Sequence, residues 1–214
     1  MEELIIRKYQ KEDRDSVRKI SWETAFMGQS AEIFCHEEEI FASFLTEYFT
    51  DYEPESCFIA QVKGKVVGYI IGAKDAKVLE KTFTEKILPK LLKKVFFGKV
   101  LLKPKNLHFL FQLLISSLRG EVFAPSFYKQ YPATLHINLL KEWRGNGAGS
   151  RLILAYLDYL KQLKVPGVCL ATMSDKGGLF FEKQGFKLLH KGQRSYFYHI
   201  LHKKIPVYIY GKLL

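Results

Sequence analysis

The sequence predicts a single α/β domain in which the strands of one sheet alternate with helices. The chain has 214 residues, which is long enough for one well-buried domain and short for two. Its contents of 48% hydrophobic and 26% charged residues are ordinary for a globular protein. Short extended apolar segments alternate with segments that repeat apolar residues at helical spacing, and this alternation is typical of α/β proteins.

The N-terminal part predicts a strand, two helices and a hairpin. Residues 4–8 form the first strand, and Asp13 is placed to cap the helix that follows, because short polar side chains accept hydrogen bonds from the free N–H groups of a first turn. A second helical pattern spans residues 36–49. Residues 57–62 and 66–71 are apolar and flank a Lys-Gly-Lys turn, which predicts a β-hairpin.

The most informative segment joins an extended apolar stretch, residues 135–140, to a strongly periodic helix. It reads Trp143-Arg144-Gly145-Asn146-Gly147-Ala148-Gly149-Ser150. A strand that turns through glycines into a helix leaves several backbone N–H groups unpaired at the positive end of the helix dipole, which suits a phosphate or pyrophosphate. Glycines also serve tight turns that bind nothing. The segment has neither the ending of a P-loop nor the spacing of the dinucleotide fingerprint.

Two motifs in this half of the chain resemble those of the GNAT acetyltransferase superfamily. Arg144, Gly147 and Gly149 match its Arg-x-x-Gly-x-Gly signature. Downstream, a short buried strand at residues 168–172 precedes a helix whose end matches the superfamily's Leu-Tyr-Glu-Lys-x-Gly-Phe pattern, through Phe180, Phe181, Glu182, Lys183, Gly185 and Phe186. The resemblance covers most of residues 1–214. It implies one domain with a mixed, mostly antiparallel central sheet flanked by helices, and a helical insertion between the third and fourth strands.

The resemblance also implies an activity and a co-substrate. The protein would transfer the acetyl group of acetyl-CoA directly to a primary amine of a small molecule or peptide. The residues that would bind acetyl-CoA are Leu139, Leu140, Lys141, Arg144, Gly145, Asn146, Gly147, Ala148, Gly149, Ser150, Ser174 and Phe181. Among them, the backbone of the first three would pair with the pantetheine arm as though it were another strand. No metal is implied.

Two side chains of the fourth strand are the candidate catalytic residues. Strand alternation places His136 and Asn138 on the face opposite Leu135, Ile137 and Leu139. An alkylammonium titrates at a pKa of about 10.4, so a base must remove a proton before the amine can attack. His136 could be that base, because its unperturbed pKa of about 6.5 leaves it mostly neutral in the cell. The alternative is a hydrogen-bonded strand histidine with no catalytic task.

The sequence also departs from the family pattern. The tyrosine that often protonates the departing thiolate is replaced by Phe181, and the motif's asparagine and alanine correspond to Ser174 and Gly177. Tyr196 and Tyr198, predicted to lie in the last strands, could donate the proton instead, or could be packed aromatic residues. These departures leave a second hypothesis, a catalytically silent acyl-CoA-binding domain that acts in regulation or interaction.

Charge is distributed unevenly along the chain. Residues 74–119 contain ten lysines and one arginine against three acidic residues, a net +8, whereas residues 23–55 are acidic. Residues 74–132 predict a helical basic insertion. Its role could be a packed lobe with solvated lysines, a lid over the acceptor pocket, a homodimer contact, or a basic surface that meets anionic lipid or nucleic acid. Nucleic acid is the least favoured partner, because no motif of a known reader is present.

Four glutamates lie where this superfamily usually walls its acceptor pocket. They are Glu37, Glu38, Glu39 and Glu47, which could attract a cationic amine or simply form a solvated helix face. The three cysteines are far apart in the sequence and suggest neither a disulfide framework nor a metal site. Together with the lack of any apolar run of about 18 residues, they predict a cytoplasmic protein.

Overall fold

A computed structural model describes residues 3–214 and shows, within that range, one seven-stranded sheet with helices packed on both faces. The strands are β1 Leu4–Lys8, β2 Phe58–Val62, β3 Lys65–Ala73, β4 Ala133–Leu139, β5 Gly167–Thr172, β6 Lys187–Arg194 and β7 Ile205–Leu213. The α-helices are α1 Arg14–Thr24, α2 Glu38–Glu47, α3 Ala76–Thr82, α4 Leu88–Phe97, α5 Pro104–Leu118, α6 Ala148–Gln162, α7 Asp175–Lys183 and α8 Tyr198–Leu201. Short 3-10 helices span Lys11–Asp13, Ala31–Ile33, Pro54–Ser56, Lys99–Leu102 and Lys141–Trp143, and π-helical turns extend α2 and α3 at Tyr48–Tyr52 and Phe83–Ile87.

The strand order across the sheet is β1-β2-β3-β4-β5-β7-β6. Strands β4 and β5 are parallel, and the other neighbouring pairs of the described sheet are antiparallel. The predicted mixed, mostly antiparallel sheet flanked by helices is therefore confirmed.

Helix α6 provides the core on one face of the sheet. Its apolar stripe is fully buried against β2, β3 and β4 and consists of Leu152, Ile153, Tyr156, Leu157 and Leu160. The Tyr156 hydroxyl donates to the carbonyl oxygens of Ala73 and Thr134, which lie on neighbouring strands. Gly72 permits this approach, since a Cβ there would lie 2.2 Å from the Tyr156 ring. Helix α6 is thus held against β3 and β4, and this contact sets where its N-terminus points.

Helices α1 and α2 cover the opposite face, where Val17 and Ile20 of α1 pack on Tyr69 and Ile71 of β3. The predicted cap of α1 is wrong in one respect. Asp13 lies at the N-cap position, but its carboxylate accepts no hydrogen bond from the first turn. Instead it is paired with the guanidinium of Arg7. The guanidinium gives the Asp13 carboxylate two charge-assisted hydrogen bonds in fixed geometry, and this pairing takes the carboxylate away from the helix.

The chain between β6 and β7 also differs from the sequence prediction. Tyr196 and Tyr198 do not lie in strands, since β6 ends at Arg194 and Tyr198 begins α8. The chain leaves the sheet because Tyr196 and Phe197 pack into an aromatic cluster with Phe26 and Phe34.

Helices α3, α4 and α5 all lie between β3 and β4. Helix α4 contacts α2, and Phe109 of α5 packs against Phe34 and Phe197. In the part of the chain that the structure describes, no helix combines the length and the apolar character needed to cross a membrane.

Candidate active site

A cavity of about 740 Å³ opens where β4 and β5 separate. The two strands pair only at Ala133 with Val168 and at Thr134 with Cys169. Beyond this point residues 135–139 of β4 diverge from β5, and the space between the strands becomes the cavity. Its volume lies within the range of about 300–1,000 Å³ that is typical of small-molecule sites.

The edge of β4 presents unpaired backbone groups to this cavity. The Leu140 N–H donates to the Val67 carbonyl oxygen at 2.9 Å, so the backbone of Leu140 faces β3. In an antiparallel pair successive residues alternate in the direction of their N–H and C=O groups, and Ile137 and Leu139 therefore point toward the gap. The predicted pairing with pantetheine involves the backbone of Leu139, Leu140 and Lys141. Leu140 has already used its N–H, and Lys141 begins a 3-10 helix outside the cavity, whereas Ile137 has the exposed edge.

The glycine-rich turn lies at one end of the cavity, at the N-terminus of α6. Gly145 and Gly147 adopt left-handed backbone conformations, with φ of +85° and +79°, which glycine adopts without strain. Gly147 is the N-cap residue of α6, and no side chain caps the helix there. The amides of residues 145–150 have no acceptor within residues 3–214. Unpaired N–H groups at the positive end of a 15-residue helix are chemically suited to an anion.

Arg144 ties the rim of the cavity together. Its Nε donates to the Leu139 carbonyl oxygen at 3.0 Å, and its Nη2 donates to the Gly28 carbonyl oxygen at 3.2 Å. Gly28 belongs to the turn that follows α1, so the guanidinium joins this turn to the end of β4. The positive charge stays exposed at the rim next to the free amides.

A polar cluster occupies the cavity wall on the α1 side of β4. Asn138 Nδ2 donates to the Tyr69 hydroxyl at 3.0 Å, and this hydroxyl lies 3.5 Å from His136 Nδ1. The Ser21 hydroxyl of α1 is also buried. Tyr69 itself is fully buried, and burial raises the pKa of its hydroxyl well above the ordinary value. Tyr69 is consequently protonated and neutral at all physiological pH values.

Burial lowers the pKa of His136 to about 4, because the surrounding protein disfavours the charged imidazolium. The imidazole is therefore neutral near pH 7. This value is lower than the ordinary value of about 6.5 assumed from the sequence. A neutral imidazole can accept a proton, but one with such a low pKa holds it weakly.

The wall formed by β5 and α7 carries the second motif. Phe181 lines the cavity and is buried among Phe186 and Tyr210, so no hydroxyl is present at the position where the family often has tyrosine. The Ser174 hydroxyl accepts a hydrogen bond from the Gly177 amide at 3.3 Å and caps α7. Ser174 lines the cavity from this position.

The structure brings together most of the predicted site residues. Those that line the cavity are His136, Asn138, Leu139, Arg144, Gly145, Gly147, Gly149, Ser150, Ser174 and Phe181. Those that do not are Leu140, Lys141, Asn146 and Ala148. The sequence analysis missed the lining residues that come from elsewhere in the chain: Thr24, Ala25, Met27, Gly28, Thr172, Met173, Lys176 and Phe180. Phe180 belongs to the second motif but was not assigned to the site. The others belong to no motif, and only folding brings the turn after α1 against β4. Tyr69 was missed for the same reason, since it reaches the site from the adjacent strand.

Comparison with known proteins gives a consistent result at the level of structure. No protein-family model matches the sequence, and no curated protein matches it. The structure of SsHAT is similar, with 25% sequence identity, a TM-score of 0.74 and coverage of 98% of both chains. A polyamine N-acetyltransferase from Drosophila melanogaster has 13% identity and a TM-score of 0.64, and the alignment covers 99% of this chain and 100% of the other. The yncA protein of Salmonella typhimurium, solved with its cofactor acetyl-CoA, has 10% identity and a TM-score of 0.57 over 99% and 94% of the two chains.

The chain therefore has the fold of these N-acetyltransferases, as the resemblance to the GNAT superfamily implied. The glutamates that were predicted to wall the acceptor pocket lie elsewhere. Glu37, Glu39 and Glu47 form ion pairs with lysines of the segment between β3 and β4, through Lys103, Lys94 and Lys90 respectively. None of the four glutamates at 37, 38, 39 and 47 lines the cavity between β4 and β5.

Proposed function

We propose that this protein transfers the acetyl group of acetyl-CoA directly to a primary amine. The observation that carries the proposal is the cavity between β4 and β5, which joins the unpaired amides of residues 145–150 to the His136 and Asn138 side chains. The yncA structure supports the choice of acetyl-CoA, because that protein has the same fold and was solved with this cofactor.

The residues present fit this co-substrate. The positive φ angles of Gly145 and Gly147 turn their amides outward, and the space where a side chain would stand is open at both positions. These amides would hold the diphosphate, with Arg144 adding positive charge. The backbone edge at Ile137, together with the Leu139 N–H, would bind the pantetheine arm, while the Leu139 carbonyl oxygen is held by Arg144. Acetyl-CoA supplies an acyl group activated as a thioester. A main-chain N–H at this edge would stabilise negative charge on the carbonyl oxygen, which is typically worth about 10²-fold in rate.

His136 would accept the proton that the amine loses. Because it is neutral near pH 7, it is in the state required of a base. Its low pKa means that it would pass the proton on to solvent rather than keep it. Asn138 and Tyr69 would hold the imidazole in position. We assign the base role to His136 and a positioning role to Tyr69, while Asn138 lines the cavity and can also contact the acceptor.

The lining of the cavity indicates the character of the amine. Around the turn after α1 it offers Thr24, Ala25 and Met27, and its charged side chains, Arg144 and Lys176, are both cationic. A polyamine would meet positive charge here and no carboxylate. The Drosophila enzyme acts on polyamines and forms N-acetylagmatine. The cavity of this chain is better suited to an amine whose remaining structure is apolar or uncharged, either a small molecule or a peptide N-terminus.

Release of coenzyme A provides the test. The protein is incubated with acetyl-CoA and one amine at a time, and free thiol is measured with a disulfide dye. We expect faster thiol release with phenylethylamine or an apolar peptide N-terminus than with spermine at equal concentration. Preference for spermine would contradict the proposed acceptor class while leaving acetyl transfer intact. Failure to bind acetyl-CoA by calorimetry would contradict the proposed function as a whole.

One observation favours a second candidate, a catalytically silent domain that binds acyl-CoA. Phe181 cannot donate a proton to a thiolate, and the nearby Tyr196 hydroxyl is engaged with Met173 Sδ at 3.1 Å. A thiol has a pKa of about 8.5 and is a fair leaving group without help, so we rank catalysis first. The silent domain would bind acetyl-CoA and release no thiol with any amine.

We also place the protein in the cytoplasm. Cys35, Cys57 and Cys169 are all free and buried. Reduced thiols of this kind fit a reducing compartment. Expression of the tagged protein followed by cell fractionation would test this location.

A further inference from the structure

The segment from α4 to α5 carries positive charge without any compensating acid of its own. Residues 86–120 contain seven lysines and one arginine and no aspartate or glutamate. At the junction between the two helices the chain turns through the 3-10 helix Lys99–Leu102. We call residues 93–105 the basic tip. It reads Lys-Lys-Val-Phe-Phe-Gly-Lys-Val-Leu-Leu-Lys-Pro-Lys.

Large apolar side chains of the basic tip lie in solvent. The exposed fraction is 68% for Phe96, 86% for Phe97 and 76% for Leu102. Val100, between them, is buried, so the tip is anchored to the body of the protein while these three side chains project. Largely exposed phenylalanines are costly in water, and grouped apolar residues rimmed by polar ones mark an interaction site.

A second cavity, of about 710 Å³, lies beside these side chains. Phe97 and Gly98 form part of its lining, and five lysines contribute to it: Lys90, Lys93, Lys94, Lys99 and Lys103. The acidic residues in the lining are Glu37 and Glu39, so the cavity has a net charge of +3. Three of the lysines are paired with carboxylates, whereas Lys93 and Lys99 form no ion pair with any carboxylate of the described chain. The cavity is therefore suited to an anion.

The positive charge of the basic tip also indicates which kind of partner it binds. A second copy of this chain, docked tip to tip by a two-fold axis, would bring two clusters of lysines together, and like charges in contact oppose association. An anionic bilayer complements both features of the tip, its positive charge and its exposed apolar side chains. Its headgroup phosphates and carboxylates match the lysines, and its acyl boundary accepts aromatic and aliphatic side chains.

We propose that the basic tip docks this protein onto an anionic lipid membrane. Phe96, Phe97 and Leu102 enter the boundary between headgroups and acyl chains. Lys93 and Lys99, which have no carboxylate partner, bind headgroup phosphates at the second cavity. The contact is peripheral and reversible, and it works independently of acetyl transfer.

Vesicle sedimentation tests the proposal with the full-length protein. One set of vesicles is pure phosphatidylcholine, and the other contains about one third phosphatidylserine. We expect binding to the second set, little binding to the first, and weaker binding as salt is raised. Equal binding to both sets, or to neither, would overturn the proposal.

Two double variants separate the apolar contribution from the charge. Phe96→Ser with Phe97→Ser removes the inserted side chains and should weaken vesicle binding by at least about tenfold. Lys93→Glu with Lys99→Glu should weaken it by a similar factor, since each basic residue near an anionic surface contributes about fivefold. These positions are exposed, so circular dichroism should show unchanged folding.

Matched controls come from other parts of the surface. Leu154→Ser removes a side chain that is 56% exposed on α6. Lys161→Glu with Lys187→Glu changes the net charge by the same amount as the lysine variant, at two other exposed positions. Both controls should bind vesicles like the unmodified protein. If they weaken binding as much as the variants of the tip, net charge or general hydrophobicity is responsible and the proposal is wrong.

Two other partners are outcomes of the same experiments. Suppose that no vesicle is bound but a fluorescent DNA duplex is, and that the lysine variant loses this binding. The tip would then be a nucleic-acid surface. Suppose instead that sedimentation velocity shows a dimer that the phenylalanine variant dissociates, again without vesicle binding. The tip would then be a contact between copies. Either result overturns membrane docking.

Discussion

The Asn138 amide donates a hydrogen bond to the Tyr69 hydroxyl across 3.0 Å, and so joins a side chain of β4 to the neighbouring strand β3. The same hydroxyl lies 3.5 Å from His136 Nδ1. Because Tyr69 is fully buried and stays protonated, this arrangement does not change with pH in the physiological range. We infer that Tyr69 orients the imidazole and fixes which ring nitrogen is directed toward the cavity.

This relationship predicts the outcome of a double-mutant cycle. His136→Ala should lower kcat by about 10² or more, as expected for the loss of a general base. Tyr69→Phe should lower kcat by roughly tenfold with little change in the KM for acetyl-CoA, since it acts through the imidazole. The double variant should be no slower than His136→Ala alone. Additive losses in steady-state kinetics would show that Tyr69 acts independently of His136.

Because the pKa of His136 is low, we expect the imidazole not to titrate between pH 6 and 8. Since burial lowers the pKa to about 4, the imidazole loses its proton as pH rises through that value and stays neutral above it. Between pH 6 and 8 the rate should rise only with deprotonation of the acceptor amine, and His136→Ala should leave the shape of that profile unchanged. NMR titration of the imidazole provides an independent measurement. A midpoint near 6.5 would contradict the effect of burial.

The glycine turn predicts a binding defect with a closely matched control. Gly147→Glu places a side chain and a negative charge beside the free amides, and we expect calorimetry to detect no acetyl-CoA binding. Gly64→Glu introduces the same side chain in the β2–β3 turn, where φ is +78° and the surrounding space is also open. The backbone strain is therefore alike at the two positions. Equal affinities of the two variants would count against the phosphate site.

Substitution of Arg144 should change both the affinity for acetyl-CoA and the mobility of the turn after α1. Arg144→Gln removes the positive charge and weakens the link between Leu139 and Gly28. We expect the Kd for acetyl-CoA to rise roughly tenfold, as for the loss of a charge-assisted hydrogen bond. Amide hydrogen exchange in the turn after α1 should become faster. Arg151→Gln is the control, since Arg151 also donates to a carbonyl oxygen, that of Leu4, outside the cavity.

The environment of Glu121 predicts how the stability of the fold depends on pH. Its carboxylate accepts hydrogen bonds from Ser116 and from the backbone and side chain of Ser195, and it is paired with Lys204. Burial alone would raise the pKa, but these bonds outweigh it and lower the pKa of Glu121 to about 2. The pKa of Glu121 in the folded protein is lower than the unfolded value of about 4.3. The ionised carboxylate therefore stabilises the fold above about pH 4.3, and this stability is lost as the pH falls toward 2.

Glu121→Gln should therefore lower the free energy of unfolding at pH 7. The difference from the unmodified protein should shrink steadily between about pH 4 and pH 2. Urea unfolding across this range measures it. A difference that does not depend on pH would show that charge on Glu121 is unimportant.

The order of strands and helices and the glycine turn with its unpaired amides could be predicted from local features of the sequence. Apolar periodicity reports which segments bury one face, and glycines at a strand-to-helix junction report free amides. Alternation along β4 was equally informative, because it placed His136 and Asn138 together on the face away from α6. The local pattern could not show which of two possible partners takes a given hydrogen-bonding group. Asp13 prefers Arg7 to the first turn of α1, and the Leu140 amide is taken by Val67.

The sequence by itself therefore determined the fold class, the elements and the position of the glycine turn, since each depends on residues that are close together along the chain. Only the tertiary structure decided which backbone groups remain free at the β4 edge, that Tyr69 and Gly28 join the site, and that the lysines between β3 and β4 neutralise the glutamates around α2. It also decided the pKa of His136. The physical reason is common to all of these: they depend on contacts and desolvation between segments far apart in sequence, which form only when the sheet closes against its helices.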